Sequence, residues 1–406
     1  MVSKVDQDSM REANKKLMVQ ALFNATQTSR VEIANTINLH KSTITAIYRD
    51  IEEAGLIEDL GEGESSHVGG RRPRLIRFNH NYGYVVAFDL GRTHLRYMAS
   101  KITGEVITHG ELTINGMSFS EVERAALSYI SQLGDLQTEN GLLGVGVGIH
   151  GVVENDEVRY APYLKEIVGA DIAGSWQTKL GVPVYLENEA NLAAIYIRDY
   201  QDYAGDMVLN NFVTVNIHDG IGAGIIQKGE LFIGVHGEAG EIGRTVMLKN
   251  NWAQEGFTNP VHLEDLFSED ALLSRTIELR GMESLSRDEF CQLVDNQDAV
   301  AVAIWEEWLG TMASVFYNIV QQTAPEAIIV HSRILGKRPT FFNVLRSFYD
   351  NITPQTEIPL IFASQSVDRA TLAGGVAMVT RNLLDLSGFR LLFHTGEPKD
   401  NVDEEN

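Results

Sequence analysis

The sequence contains a single cysteine, Cys291, among its 406 residues. One cysteine excludes an internal disulfide and is typical of a reducing compartment, so we expect a cytoplasmic protein. No apolar run approaches the ~20 residues that a membrane-spanning helix requires. The first residues are polar and charged and lack the apolar segment of a secretory signal. The sequence therefore predicts no disulfide framework, no export signal and no membrane partner.

Basic residues are also scarce. The chain has 33 Lys and Arg against 55 Asp and Glu, which gives a formal net charge of −22. Residues 1–80 contain equal numbers of both kinds, so the whole excess lies in residues 81–406. An acidic body repels nucleic acid, and this asymmetry is consistent with DNA contact restricted to a neutral head. The alternative is that the acidity forms only a solvated surface.

The first eighty residues have the pattern of a helix-turn-helix. Residues 10–25 favour a first helix. Ser29 and Glu32 fit a capping box, in which the Ser29 hydroxyl accepts from the Glu32 amide and the Glu32 carboxylate reaches back. This box predicts a short second helix over residues 31–35. After a turn, a further helix begins at Lys41.

The helix that begins at Lys41 is the predicted recognition helix. Ile44, Ile47 and Ile51 fall on one face, so the small hydroxyl and cationic side chains between them point outward. Such side chains suit phosphate contact and base reading in the major groove. The predicted DNA-contacting residues of this helix are Lys41, Ser42, Thr43, Thr45, Ala46 and Arg49.

A basic strap follows the helices. Residues 56–58 and 75–78 are predicted to form the two strands of a wing, with the run Gly69-Gly70-Arg71-Arg72-Pro73-Arg74 between them. Arginines flanked by glycine and proline make a poor core but suit phosphates or the minor groove. The alternatives are a solvated basic turn and a three-helix bundle that only imitates a helix-turn-helix. The predicted DNA contacts of the strap are Arg71, Arg72 and Arg74.

From residue 84 onward, strands alternate with helices and a weak internal repeat is present. Residues 84–91 are predicted to form a strand that continues through a turn into two further strands, and residues 212–217 begin the same order of elements. Two copies, each followed by helices, predict a duplicated α/β domain with a cleft between its halves. The length is sufficient for two or three hydrophobic cores.

Several motifs together resemble those of the ROK family, which comprises repressors and sugar kinases. The resemblance spans nearly the whole chain and is strongest to the repressors, in particular to the xylose-repressor branch. The motifs that carry it are Arg11-Glu12-Ala13-Asn14, the helix-turn-helix, the Gly-Gly-Arg-Arg-Pro strap, Asp89-Leu90-Gly91, Glu187-Asn188-Glu189-Ala190-Asn191 and Gly237-Glu238-Ala239-Gly240-Glu241-Ile242-Gly243.

The resemblance implies an α/β fold class. It predicts an N-terminal winged helix-turn-helix with its basic strap at residues 1–80. A duplicated actin-like, sugar-kinase-like (ribonuclease H-like) domain pair is then expected, with its halves at residues 81–195 and 196–395. Residues 396–406 are acidic and polar, and we expect them to form a disordered tail.

The resemblance also implies a monosaccharide in the cleft. A sugar presents several hydroxyls, so its site needs convergent acceptors and donors that replace their water. Arg244 is a candidate that donates to a hydroxyl or pairs with Glu241. The alternative for any one of the carboxylates is a helix cap or a surface side chain. The residues that match the family's sugar-binding positions are Asn188, Glu189, Glu241 and Glu264.

Four departures from the family's kinases argue against ATP binding. Kinases place an aspartate general base where Glu189 stands, and the additional methylene misplaces the carboxylate for proton abstraction. Arg92 replaces a glycine of the first phosphate loop, and Asp219 brings a negative charge into the second. The glycine cluster on the adenosine side is replaced by His331-Ser332-Arg333. We therefore expect no enzymatic activity and no cofactor.

The ligands of the family's structural zinc are also missing from the sequence. Its histidine position holds Arg244, and the interval from there to Glu264 contains no cysteine. Tetrahedral zinc needs four ligands, and the nearby His236 and His262 supply two at most. We expect no metal. Packing through Trp252 and Phe257 is expected to hold this segment instead.

These features predict a sugar-responsive repressor of carbohydrate-utilisation genes. A homodimer, or a dimer of dimers, would place recognition helices in successive major grooves of a double-stranded DNA operator. A monosaccharide such as xylose would release the repressor by favouring the conformation that binds DNA less tightly. Two alternatives remain open: a sugar kinase with a fused DNA-binding head, and a repressor controlled by a protein partner.

Overall fold

A computed structural model describes residues 7–63, 72–200, 208–247, 260–353, 357–363 and 367–393. The chain forms two compact units. Unit 1 comprises Met1–His150, Asn155–Leu186 and Gly375–Asn406, and unit 2 comprises Gly151–Glu154 and Glu187–Gly374. The predicted acidic tail, residues 396–406, lies outside the described residues.

Unit 1 begins with a head of three helices and a small sheet. Its strands are ordered β1-β3-β2, with β3 antiparallel to both neighbours. The core of the head is formed by buried apolar side chains of all three helices, among them Leu22, Ile33 and Ile51. The elements are α1 (Gln7–Phe23), β1 (Thr28–Ser29), α2 (Arg30–Thr36), α3 (Lys41–Glu53), β2 (Ile57–Glu62) and β3 (Arg74–Phe78).

The predicted cap of α2 is present in part. Ser29 is the N-cap residue, and its Oγ accepts from the Glu32 amide at 3.3 Å. The Glu32 carboxylate, which we expected to reach back to the cap amide, instead accepts from the Thr28 hydroxyl at 3.4 Å. One side-chain cap therefore starts the helix, and the glutamate ties it to strand β1.

The α/β part of unit 1 is built on a five-stranded sheet of order β10-β7-β4-β5-β6. Strand β4 is buried throughout, antiparallel to β5 and parallel to β7. A continuous apolar strand of this kind is typical of a sheet covered on both faces. The elements are β4 (Tyr84–Leu90), β5 (His94–Lys101), β6 (Val106–Thr113), α4 (Phe119–Leu133), β7 (Leu142–Ile149), β9 (Glu157–Tyr160), α5 (Ile172–Leu180) and β10 (Val184–Asn188), whose last two residues belong to unit 2. Strand β8 (Val152–Glu154) lies between β7 and β9 in sequence and belongs to unit 2.

Unit 2 repeats this strand order in a second five-stranded sheet, β13-β12-β11-β16-β17. Its buried strand β11 is antiparallel to β12 and parallel to β16, as β4 is to β5 and β7. The repeat predicted from the sequence is therefore present as the same strand order and strand directions in both sheets. The elements before the long helix of this unit are α6 (Glu189–Tyr200), β11 (Phe212–Ile217), β12 (Ile221–Gln227), β13 (Glu230–Leu231), β14 (Val246–Met247), β15 (Val261–His262), α7 (Leu263–Phe267), α8 (Glu269–Arg280) and α9 (Arg287–Asp295).

The long helix of unit 2, α10 (Ala299–Thr323), belongs to its core. It is the one helix among the described residues that is long and apolar enough to cross a membrane by length and composition. However, Trp308, Met312 and Phe316 on this helix are buried in the hydrophobic core of the unit. Packing against the protein interior therefore explains its apolar composition. The elements that follow are β16 (Ala327–Ser332), α11 (Arg333–Lys337), α12 (Pro339–Ile352), β17 (Leu360–Phe362) and α13 (Val367–Leu383).

The compact units do not follow the predicted boundary at residue 195, and the chain returns to unit 1 at Gly375. The return has a packing cause, because the second half of α13 contacts the glycines of β7. A Cβ at Gly144 would lie 2.9 Å from Val379, and one at Gly146 would lie 3.0 Å from the same side chain. Small residues at these positions allow the helix to approach the sheet closely. The limits of independently folding domains stay a prediction.

Candidate functional site

The candidate sugar residues of unit 2 begin where strand β10 meets helix α6. Asn188 ends the strand, and its Oδ1 accepts from the amides of Ala190 at 2.8 Å and Asn191 at 3.1 Å. Its Nδ2 donates to the Gly151 carbonyl at 2.7 Å. Asn188 thus caps α6 in the manner expected of an asparagine at a helix start.

Glu189, the first residue of α6, is only 8% exposed. Its Oε2 accepts from Asn216 Nδ2 at 2.9 Å, and His218 Nε2 lies 3.8 Å from its Oε1. A buried carboxylate needs such partners because desolvation alone would disfavour its charge. Strand β11 and the loop after it therefore orient Glu189.

Asn216 and His218 are site residues that the sequence interpretation missed. Asn216 is a fully buried amide in a strand whose other members are mostly apolar. A polar residue inside an apolar strand is a usable signal, because burial without a partner is costly. His218 directly precedes Asp219 of the second phosphate loop, and its ring lies against the carboxylate of Glu189.

The motif of residues 237–243 forms a tight turn that presents Glu241. Gly240 has φ +96°, and a Cβ there would overlap the Ala223 carbonyl oxygen. At Gly243, a Cβ would overlap the Ile221 carbonyl oxygen and lie 2.8 Å from Glu264 Oε2. At Gly240, only glycine fits both the positive φ and the close approach to the Ala223 carbonyl. The turn therefore packs directly on β12.

Glu241 and Glu264 are carboxylates with perturbed acidity. Burial is the main cause that raises the pKa of Glu241 to about 7. The charge of Arg244 opposes the rise, and the charges of Glu189 and Glu264 contribute to it. Burial likewise raises the pKa of Glu264, although the Ile221 amide, 3.4 Å from its Oε2, acts in the lowering direction. Carboxylates with raised pKa values in a polar cluster are candidates for ligand binding.

Arg244 supplies the positive charge of this cluster. It ends a 3₁₀ turn, Ile242–Arg244, whose last amide donates to the Glu241 carbonyl at 3.1 Å. The positive charge of its guanidinium acts to lower the pKa of both Glu241 and Glu264, against the larger effect of burial. The cluster therefore combines carboxylate acceptors with a fork of donors, which is the complement that sugar hydroxyls require.

The second phosphate-loop position is occupied by ion pairs within unit 2. Asp219 Oδ1 lies 3.1 Å from Arg287 Nη2 and 3.3 Å from Arg333 Nη1. Arg287 also donates to Glu269 at 2.6 Å, and Arg333 donates to Asp368 at 2.8 Å. Both arginines are thus engaged by carboxylates, which reduces their availability to a nucleotide phosphate.

The first phosphate-loop position, in unit 1, is similarly engaged. Asp89 is buried, with its Oδ1 3.0 Å from His150 Nε2 and its Oδ2 3.3 Å from Arg96 Nη1. The guanidinium of Arg92, which replaces the family's glycine, lies 5.5 Å from the centre of the Tyr163 ring. This distance is within cation–π range, so Arg92 contacts an aromatic ring of its own unit.

No group of three or more His, Cys, Asp or Glu in the described part of the chain could hold a metal ion. His236 Nδ1 lies 3.0 Å from Glu154 Oε1, and His262 caps the short helix α7. The two histidines thus have separate contacts in the fold. Trp252 and Phe257, expected to pack this segment, lie outside the described residues.

The outward face of α3 carries the predicted DNA contacts. Ser42, Thr45, Ala46 and Arg49 are exposed, and Thr43 is partly exposed. Ile44, Ile47 and Ile51, predicted for the opposite face, are buried. The helical face is therefore arranged as predicted. The Lys41 side chain lies outside the described residues.

Several cations of the head are already paired. Arg49 Nε donates to Glu53 at 2.7 Å, and Arg74 forms an ion pair with Asp59. Exposed pairs of this kind are weak and can exchange for phosphate. Arg72 is exposed, whereas Arg71 lies outside the described residues. A cation missed from the sequence, Arg30, stacks over the ring of Tyr48 on α3 at 3.9 Å.

Comparison with known families identifies the class of this chain. The ROK family profile matches residues 85–382. The chain belongs to the ROK family. The xylose repressor of Lactiplantibacillus pentosus is 33% identical over 394 residues, which cover 96% of this chain and 98% of that protein.

Two solved structures illustrate the range of the fold in this family. One is a ROK family transcriptional regulator described as a homologue of the E. coli MLC protein. It has a TM-score of 0.77 at 18% identity and covers 93% of this chain and 98% of its own. The other is a ROK family glucokinase from Streptomyces griseus in complex with glucose and AMPPNP. Its TM-score is 0.60 at 17% identity, over 73% of this chain and 99% of its own.

Proposed function

We propose that this protein is a sugar-responsive transcriptional repressor that a monosaccharide releases from its operator. The observation that carries the proposal is the presence of two parts in one chain. The head has an exposed polar helix face, and the ROK body has a partly buried cluster of hydrogen-bond acceptors and donors. The similarity to a protein named xylose repressor makes xylose the first candidate effector.

In this proposal the head is a winged helix-turn-helix. Helix α3 is the recognition helix, and the hairpin of β2 and β3 is the wing. A homodimer, or a dimer of dimers, brings two copies of α3 to successive major grooves of a double-stranded operator. The exposed residues of α3 read the bases, and the arginines of the strap contact phosphates or the minor groove.

The sugar contacts proposed in unit 2 are Glu189, Glu241, Glu264 and Arg244, with a secondary role for Asn188. The carboxylates accept from hydroxyls and Arg244 donates to a sugar oxygen. Asn188 acts mainly by positioning α6, since its carbonyl oxygen is occupied by two helix amides.

We propose no kinase activity and no cofactor for this chain. Both phosphate-loop positions are engaged by side chains of the protein: Asp219 with two arginines, and Asp89 with His150 and Arg96. A nucleotide would have to displace these contacts and bring its own negative charge beside two carboxylates. The proposed site of action is the cytoplasm, where the operator DNA is found.

The test of the sugar site is isothermal titration of the full-length protein with xylose, glucose, N-acetylglucosamine and ATP. We expect one sugar to bind and ATP not to bind. Glu189→Gln keeps an acceptor for Asn216 but removes the charge, and we expect it to weaken sugar binding at least tenfold, or about 1.4 kcal/mol. The matched control is Glu230→Gln on the exposed edge strand β13, which should bind normally. Equal affinity in both variants would place the sugar elsewhere.

A further inference from the structure

The last described segment of the chain, residues 384–393, is packed on the DNA-binding head. We call it the C-terminal connector. Asn24, directly after helix α1, donates from Nδ2 to the Arg390 carbonyl at 3.0 Å, and its Oδ1 accepts from the Leu392 amide at 2.8 Å. Gln20 donates to the same Arg390 carbonyl at 2.9 Å. Residues more than 360 positions apart in sequence are therefore joined by backbone-directed hydrogen bonds.

Apolar and ionic contacts reinforce this junction. The Phe23 ring meets the Phe393 ring edge to face at 5.1 Å, a geometry that adds to simple burial. Lys16 pairs with Asp385 at 2.6 Å. Arg381, near the end of α13, donates to the Leu386 carbonyl at 3.2 Å, so the turn from helix to connector is also fixed.

Helix α13, which precedes the connector, is the element that passes from unit 2 to unit 1. In unit 2, Asp368 in its first turn accepts from Arg333 at 2.8 Å. A Cβ at Gly374 would overlap the carbonyl oxygen of Leu192. Leu192 belongs to α6, the helix that begins with Glu189. The helix therefore lies against the element that carries a proposed sugar contact, and leads to the connector.

Further contacts hold α1 along its length. Arg11 in its first half forms an ion pair with Asp50 of α3. A solvent-open pocket of about 370 Å³ lies beside α1 within unit 1, and its lining includes Val19 of α1, Leu143 of the α/β part and Asp385 of the connector. The connector therefore forms one wall of the space beside α1.

We propose that helix α13 and the C-terminal connector transmit sugar occupancy to the DNA-binding head. This proposal rests on the proposed function above. A sugar bound at Glu189 changes the position of α6, α13 follows because Gly374 packs on Leu192, and the connector turns α1 about its contacts at Asn24. The connector is a coupling element that positions the head, and it touches neither sugar nor DNA.

The variant Asn24→Ala tests this coupling, because it removes two connector hydrogen bonds and leaves the proposed sugar and DNA contacts intact. The matched control is Asn14→Ala, which lies on helix α1 itself. Fluorescence anisotropy of labelled DNA, selected by the protein from a random duplex library, gives operator affinity with and without the sugar identified by calorimetry. We expect sugar to weaken wild-type and Asn14→Ala binding within the range of about 5- to 150-fold typical of allosteric coupling. For Asn24→Ala, we expect the sugar to change operator affinity by less than about threefold.

Sugar affinity and thermal unfolding, measured on the same samples, show whether each variant is folded. Phe393→Leu keeps an apolar side chain but removes the ring contact with Phe23, so it provides a second variant with the same expected loss of response. A full sugar response in folded Asn24→Ala and Phe393→Leu would overturn the coupling proposal alone. If sugar does not change the operator affinity of the wild-type protein, the proposed function fails together with it.

Discussion

At the scale of single residues, the candidate sugar site depends on carboxylates that the fold shields from water wholly or in part. Glu189 is oriented by Asn216 and His218, whereas Glu241 and Glu264 have pKa values raised chiefly by burial. A ligand whose hydroxyls hydrogen-bond to these oxygens would replace the lost solvent. Desolvated carboxylates are costly to the fold, and such cost is common at binding sites.

This cost predicts a pH-dependent stability. The folded-state pKa of Glu241 is raised from 4.5 to about 7, so between these values the folded state holds more protons than the unfolded state. The contribution of Glu241 to stability therefore falls as pH rises through this window, by on the order of 3 kcal/mol. We expect denaturant unfolding of the sugar-free protein to show this decline.

The variant Glu241→Gln removes the titrating group, and its stability should depend less on pH between about 5 and 8. Glu230→Gln, on the exposed strand β13, serves as the control and should follow the wild-type curve. Parallel pH curves for the wild-type protein and Glu241→Gln would show that Glu241 is not held in a perturbed state.

At the scale of elements, the turn of residues 237–243 presents Glu241 to the cluster. Gly240→Ala would force a side chain into a left-handed backbone and against the Ala223 carbonyl. Gly281 at the end of α8 also has positive φ, but no atom within 4 Å of its hypothetical Cβ. Gly281→Ala should therefore cost only the backbone strain of about 1–2 kcal/mol.

We expect Gly240→Ala to cost more than Gly281→Ala, since overlap with a main-chain oxygen requires the turn to move. Because Glu241 follows directly, we also expect Gly240→Ala to weaken sugar binding while Gly281→Ala retains it. Denaturant unfolding and calorimetric titration of both variants measure the two effects. Sugar affinity that is equal in both would mean that the turn does not position a sugar ligand.

Sequence patterns predicted local elements well where the residues that cause an element to form lie within that element. The isoleucines of α3 are spaced on one helical face and are buried, and the Ser29 cap starts α2. The strand repeat was visible because both copies begin with a buried apolar run. Contacts between distant segments left no local signal: nothing near Asp219 indicates pairing with Arg287 and Arg333. The connector contacts of Asn24 were missed for the same reason.

At the scale of the whole molecule, we propose that the neutral head contacts DNA and that the acidic body binds the sugar. The net charge of −22 lies outside residues 1–80, so we expect the body to have low non-specific affinity for DNA. Operator binding should therefore depend on few cations and on the symmetry of a homodimer. Membership of the ROK family accounts for the body, and the repressor interpretation adds the requirement that the two ends communicate.

Release of the repressor by a sugar is best tested by measuring operator binding of the full-length protein as the sugar is titrated. A duplex selected by the protein from a random library serves as the probe, with xylose first and glucose and N-acetylglucosamine as comparisons. We predict that one sugar weakens operator binding by about 5- to 150-fold without added ATP. Operator affinity that stays constant across the sugar panel would contradict the central claim.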